Sequence, residues 1–203
     1  MRVLIAKAAV MRVLRGAYWA LGVSAVLMLG YSGFLWADGW YFQRVERGQF
    51  QRLLNERTST ALIRTTLPEL PIGGVMGRIA IRRLGVSVIF AEGVDQPTLR
   101  RAAGHIPGTA QPGEAGNIAI SAHRDTFFRP LRNIREKDVV TLTTVAGTYE
   151  YRVVATKVTD PSDVSVLAPS TKEILTLITC YPFYFVGSAP KRFIVQAERI
   201  TAR

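Results

Sequence analysis

Residues 16–37 of this 203-residue chain contain no charged side chain. As a helix, such a run extends about 33 Å, enough to cross a bilayer core of roughly 30 Å. Tyr18, Trp19 and Trp36 fall near its ends, where amphipathic rings sit well at a membrane interface. Arg2, Lys7, Arg12 and Arg15 precede the run and Asp38 follows it. The basic flank is therefore expected in the cytoplasm and the carboxyl-terminal part outside. A cleaved signal peptide is the alternative. The apolar run is long for one, and Leu35-Trp36-Ala37 is a poor small-x-small cleavage site. The expected organisation is a basic tail (1–15), a signal-anchor (16–37), a stalk helix with linker (38–72) and a folded domain (73–203).

Net charge is +11, and the four basic residues before Asp38 leave +7 for the remainder (11 − 4). Those charges are scattered, without a Lys/Arg block. Nucleic-acid binding needs a clustered electrostatic footprint, so no nucleic-acid partner is expected. One cysteine excludes an internal disulfide, and two histidines leave too few soft ligands for a zinc site. Outside the cytoplasm an unpaired thiol is exposed to oxidation, so Cys180 is expected to be either buried or used.

Beyond Asp38, a candidate helix N-cap, the spacing of Phe42, Val45, Gln49 and Leu53 predicts an amphipathic stalk over 39–57. Residues 58–60 and 68–74 read as linker. Short β-branched runs then predict strands at 77–82, 86–90, 117–123, 138–144, 148–158, 173–180 and 192–197. A short helix is expected from Asp95-Gln-Pro97, a long loop over 104–116 and a short helical or irregular crossover over 125–134. Residues 145–147 read as a hairpin turn. Seven or eight strands with little helix point to a mainly β closed barrel or sandwich.

Three polar residues take comparable places in this pattern. His123 ends one strand, Cys180 ends another, and Arg192 begins the last. The eleven-residue loop 181–191 would let the strands bearing Cys180 and Arg192 lie side by side. A free thiol has a pKa near about 8.5, so a nucleophile needs a neighbouring imidazole or cation to favour thiolate. Acyl transfer also needs a proton donor for the leaving amine and positive or N–H groups at the oxyanion. Histidine and arginine suit those two roles. Each residue also has a plain structural alternative: a buried thiol, a hydrogen-bonded histidine, a solvated arginine.

The chain resembles the sortase family, most nearly the class D-like single sortases of Gram-negative bacteria. The resemblance rests on Gly104-His-Ile-Pro-Gly-Thr-Ala, Pro112-Gly-Glu-Ala-Gly-Asn117, Ile120-Ser-Ala-His123-Arg-Asp-Thr-Phe-Phe128, Thr176-Leu-Ile-Thr-Cys180 and Lys191-Arg192-Phe-Ile-Val. It covers about residues 73–200. It implies an eight-stranded sortase barrel with Cys180 as nucleophile, His123 as general acid/base and Arg192 stabilising the oxyanion or substrate. His105 is then a loop-ordering or pocket-lining residue. With Thr179 of the signature, and with Val164, Val166 and Leu167 as a groove wall or as core, it completes the candidate substrate contacts. Ala122 stands where glycine is common in the family, a change that an extended strand tolerates.

The resemblance implies a cysteine transpeptidase of the inner membrane, its catalytic domain on the periplasmic side. Its partners would be the membrane, an envelope protein bearing a Leu-Pro-x-Thr-Gly-like signal, and an amine acceptor. No cofactor is required. An L,D-transpeptidase also pairs cysteine with histidine, but in a Ser-His-Gly-Cys type motif; here 57 positions separate His123 from Cys180. An anchored, non-catalytic envelope-binding β-domain with Cys180 buried is the remaining alternative.

Overall fold

The computed structural model describes residues 2–59, 70–185 and 187–200. The chain divides into two compact units, residues 1–40 and 41–203. One helix, α1 (Arg2–Ser59), runs continuously where an anchor and a separate stalk were expected. Asp38 stands inside this helix, flanked by helical residues on both sides, and is therefore not a helix N-cap. Extending an existing helix is cheap, and the single Gly39 costs only about 1 kcal/mol relative to alanine. By length and composition α1 can cross a membrane, and the apolar window that qualifies it is wholly unburied. Of the expected linkers, residues 58 and 59 belong to α1, and 60, 68 and 69 lie outside the described residues.

Within the second unit eight strands close into a barrel. They are β1 (Val75–Ile81), β2 (Val86–Glu92), β3 (Ala103–His105), β4 (Gly116–Ser121), β5 (Val139–Thr144), β6 (Thr148–Thr159), β7 (Glu173–Tyr181) and β8 (Lys191–Arg199). Their order around the barrel is β1-β2-β3-β4-β7-β8-β6-β5. The β2–β3 and β4–β7 pairs are parallel. A short helix, α2 (Gln96–Arg101), makes the first parallel crossover, and Asp95 caps it by accepting from the Thr98 N–H.

Alternation along the strands builds the core. Ile79 and Ile81, Ile118 and Ile120, and Leu175 and Leu177 point inward and are fully buried. The β5–β6 hairpin turns through 145–147 as expected, with the Thr144 N–H donating to the Gly147 carbonyl at 2.8 Å. The expected loop 104–116 instead begins inside β3. Gly104 serves close packing there, because a Cβ would lie 2.2 Å from the Gly93 carbonyl oxygen.

The carboxyl-terminal part of α1 packs on this barrel. Gln43 accepts from the Ile89 N–H at 2.9 Å and donates to the Arg101 carbonyl at 2.7 Å. Phe50 is buried, and Arg47 donates to the Ser87 carbonyl. Gln43 and Arg47 bring this stretch against β2, while of the expected spacing Phe42 and Val45 are half-buried and Gln49 is exposed.

Candidate active site

Because β4 and β7 run parallel and β8 returns antiparallel, the ends of β4 and β7 and the start of β8 meet at one end of the barrel. On β7, Leu175 and Leu177 face the core, so Ile174, Thr176, Ile178 and Cys180 face outward. Cys180 is a free, half-buried thiol on that outer face. Arg192 is its direct register partner on β8. Antiparallel partners carry their β-carbons about 4.5–5.5 Å apart on one face, so the two side chains leave the barrel wall as neighbours. The guanidinium Nη1 donates to the Lys191 carbonyl at 3.2 Å and the Ala189 carbonyl at 3.4 Å.

His123 approaches from the other side of β7. β4 ends at Ser121, opposite Ile178, so the histidine, expected to end the strand, lies two residues beyond it. The Ala122 N–H still donates to the Ile178 carbonyl at 3.2 Å, and Thr179 Oγ1 donates to the Ala122 carbonyl at 2.7 Å. The paired register itself stops at Ser121 and Ile178, and these two bonds carry the chain on alongside β7 as far as Ala122. The chain then turns, the Phe128 N–H donating to the His123 carbonyl at 3.1 Å while the Phe128 side chain is buried in the core. Burial of that ring draws the chain off the strand early.

The other expected contacts divide. His105 is 2% exposed, with Nδ1 2.7 Å from Glu92 Oε2 and Nε2 3.0 Å from both the Ala110 carbonyl and Thr109 Oγ1. One nitrogen is spent on the end of β2 and the other on the loop that follows β3. Thr179 is also buried, and its hydroxyl fastens β7 to the His123 segment. In the β6–β7 loop, a 3-10 turn spans Val164–Leu167. Val166 is buried, Val164 is 71% exposed and Leu167 is half-buried.

Residues unmarked in the sequence hold that loop in place. Asn117 donates through Nδ2 to the Val166 carbonyl at 2.9 Å and the Ala168 carbonyl at 3.2 Å. Thr176 Oγ1 donates to Asn117 Oδ1 at 2.7 Å. Asp163 caps the 3-10 turn, accepting from Ser165 and from the Thr159 hydroxyl. The Ser165 side-chain bond, followed by that of Thr159, holds its carboxyl down at about 2.

Across the site the β7–β8 loop opens with a cis Tyr181–Pro182 bond. Phe183 packs edge-on against Phe193, ring centroids 5.3 Å apart, and Tyr184 is 88% exposed. Among the described residues no three His, Cys, Asp or Glu side chains gather as metal ligands. The arrangement instead brings the strand ends bearing Cys180 and Arg192 and the turn bearing His123 to one end of the barrel.

The profile of the sortase domain matches residues 79–200. Sortase D of Bacillus subtilis is 37% identical over 130 residues, covering 64% of this chain and 66% of that protein. Sortase A of Listeria monocytogenes is 31% identical over 128 residues, covering 61% of this chain and 56% of the relative. The chain thus spans at most about two thirds of these relatives' lengths. Among solved structures, the Clostridium perfringens Sortase D5 transpeptidase superposes with a TM-score of 0.66 at 28% identity, covering 81% of this chain and 99% of that one. Sortase A from Corynebacterium diphtheriae gives a TM-score of 0.60 at 31% identity, covering 66% and 64% of the two chains. The barrel, its strand order and the matched 79–200 segment agree: this chain belongs to the sortase family.

Proposed function

We propose that this chain is a membrane-anchored cysteine transpeptidase in which Cys180, His123 and Arg192 do the chemistry. The observation that carries the reading is the register pairing of Cys180 with Arg192, on strands flanked by the His123 turn, in a chain of this family. The Cys180 thiolate attacks the carbonyl carbon of a peptide bond in a sorting signal. Arg192, charged at every physiological pH and carrying a rigid fork of donors, stabilises the tetrahedral oxyanion. His123 delivers a proton to the departing amine as the C–N bond breaks, leaving a thioester on Cys180. An acceptor amine then attacks the thioester and gives up a proton to His123. The new amide forms as the thiolate leaves.

The groove for an extended signal peptide lies on the outer face of β4 and β7, between the β6–β7 and β7–β8 loops. A Leu-Pro-x-Thr-Gly-like signal on an envelope protein is the substrate, cut after threonine. Likeness to Sortase D and to the Sortase D5 transpeptidase supports a class D-like enzyme. These relatives come from Gram-positive bacteria, so they lend nothing to the expected Gram-negative subclass. The basic residues before the apolar part of α1 support a cytoplasmic amino terminus and an extracytoplasmic barrel, on the periplasmic side of an inner membrane.

The test is Cys180→Ala with a fluorogenic peptide containing Leu-Pro-Gln-Thr-Gly. Cleavage should fall at least about a thousandfold, as expected for loss of a nucleophile. Wild-type rates in the variant would sink the assignment.

A further inference from the structure

Arg124 follows His123 directly on the turn leaving β4, and its side chain reaches across to the β7–β8 loop. Nη2 donates to the Phe185 carbonyl at 2.7 Å and to the Gly187 carbonyl at 2.8 Å. The guanidinium carbon lies 5.8 Å from the centroid of the Phe185 ring. Nη1 is buried without an acceptor among the described residues, so these two carbonyls are what hold the side chain. Arginine suits such a clamp, because a charged donor strengthens hydrogen bonds to carbonyls and its planar group also lies well over an aromatic ring.

Among the described residues the loop's other anchors are few, and at its far end Arg192 Nη1 donates to the Ala189 carbonyl at 3.4 Å. Phe183 packs against the core near its start, and the Phe185 N–H donates to the Pro182 carbonyl at 3.4 Å. Tyr184, 88% exposed, stands between the packed Phe183 and the clamped Phe185. Its presentation therefore depends on both fixings. Because Arg124 is bonded in sequence to His123, a displacement of the loop is transmitted to the turn that carries the imidazole.

We infer that Arg124 is a positioning residue that ties the β7–β8 loop to the His123 turn, and so shapes the wall against which the signal peptide binds. The inference rests on the transpeptidase reading for its kinetic consequence. Its structural part stands independently.

The experiment compares full-length wild type with Arg124→Gln and Arg124→Lys. Amide hydrogen exchange over 183–188 should rise about tenfold in Arg124→Gln, with exchange in β1 and β2 unchanged. KM for the Leu-Pro-Gln-Thr-Gly peptide should rise about tenfold, with a smaller loss in kcat, as expected when binding rather than chemistry is impaired. Arg124→Lys should recover part of both effects, since an ammonium still donates to a carbonyl. Unchanged loop exchange in Arg124→Gln overturns the inference. So does a uniform rise across the barrel with a lower Tm, which marks a merely structural role. Failure of the transpeptidase reading shows separately, as an absence of Cys180-dependent cleavage in wild type; loop exchange still judges the clamp.

Discussion

Thr179 shows how a side chain acts through the backbone of a neighbouring segment. Its buried hydroxyl donates to the carbonyl of Ala122, the residue before His123. Thr179→Val keeps the shape and removes the donor, leaving that carbonyl unsatisfied. We predict a loss of about 1–3 kcal/mol in stability, read from urea denaturation, together with a fall of about tenfold in kcat as His123 loses its alignment. An unchanged kcat with lowered stability would confine Thr179 to packing. The candidate triad was legible from residue type and motif, because a thiol, an imidazole and a guanidinium declare their chemistry. The supporting contacts were not. The partners of Thr179, Arg124 and Asn117 lie 57, 61 and 49 positions away, and only the fold brings them together.

Among the elements, the 3-10 turn Val164–Leu167 depends most plainly on one ionised group. Asp163 has its pKa held at about 2, below the ordinary carboxylate value near 3.9, by hydrogen bonds it accepts as an anion. A depressed folded-state pKa contributes order that is present above about pH 4 and lost as pH falls toward 2. We expect amide exchange over 164–168 to increase across that window in wild type. Asp163→Asn, which keeps an acceptor oxygen without the titration, should flatten the dependence. A wild-type profile that stays flat would separate the turn from its cap. The hairpin around 145–147 was readable because turn chemistry and alternation agree locally. The three-residue β3 was not, since its glycine reads as loop until the neighbouring chain is in place. Continuity of α1 through Asp38 was missed for a related reason: a local cap preference yields to cheap propagation from helix on both sides.

At the scale of the molecule, Tyr151 ties three strands together inside the barrel. Its hydroxyl donates to Glu173 at 2.6 Å, and Glu173 in turn meets Arg199 at 3.3 Å, joining β6, β7 and β8. Burial, and then the bond to Glu173, push the phenol's pKa well above its ordinary value. A raised folded-state pKa gives stability that is complete below about pH 10 and declines as the solution becomes more alkaline. Tyr151→Phe should therefore cost about 1–2 kcal/mol near neutrality and reduce the alkaline decline in the urea midpoint. A wild-type midpoint that does not fall above pH 10 would contradict this account. Barrel membership was legible from the count and spacing of strands, whereas the crossover that sets β4 beside β7 is decided by closure itself.

That closure bears on how such a protein can diverge. A ring of eight strands leaves no open edge on which an extended peptide could be added as a ninth. On the proposed reading, selectivity then resides in the β6–β7 and β7–β8 connections, whose tips lie outside the ladder and accept insertion or exchange without disturbing strand pairing. Lineages carrying this barrel are free to change what they recognise by rewriting loops, while the strand ends that carry Cys180 and Arg192 stay where they are.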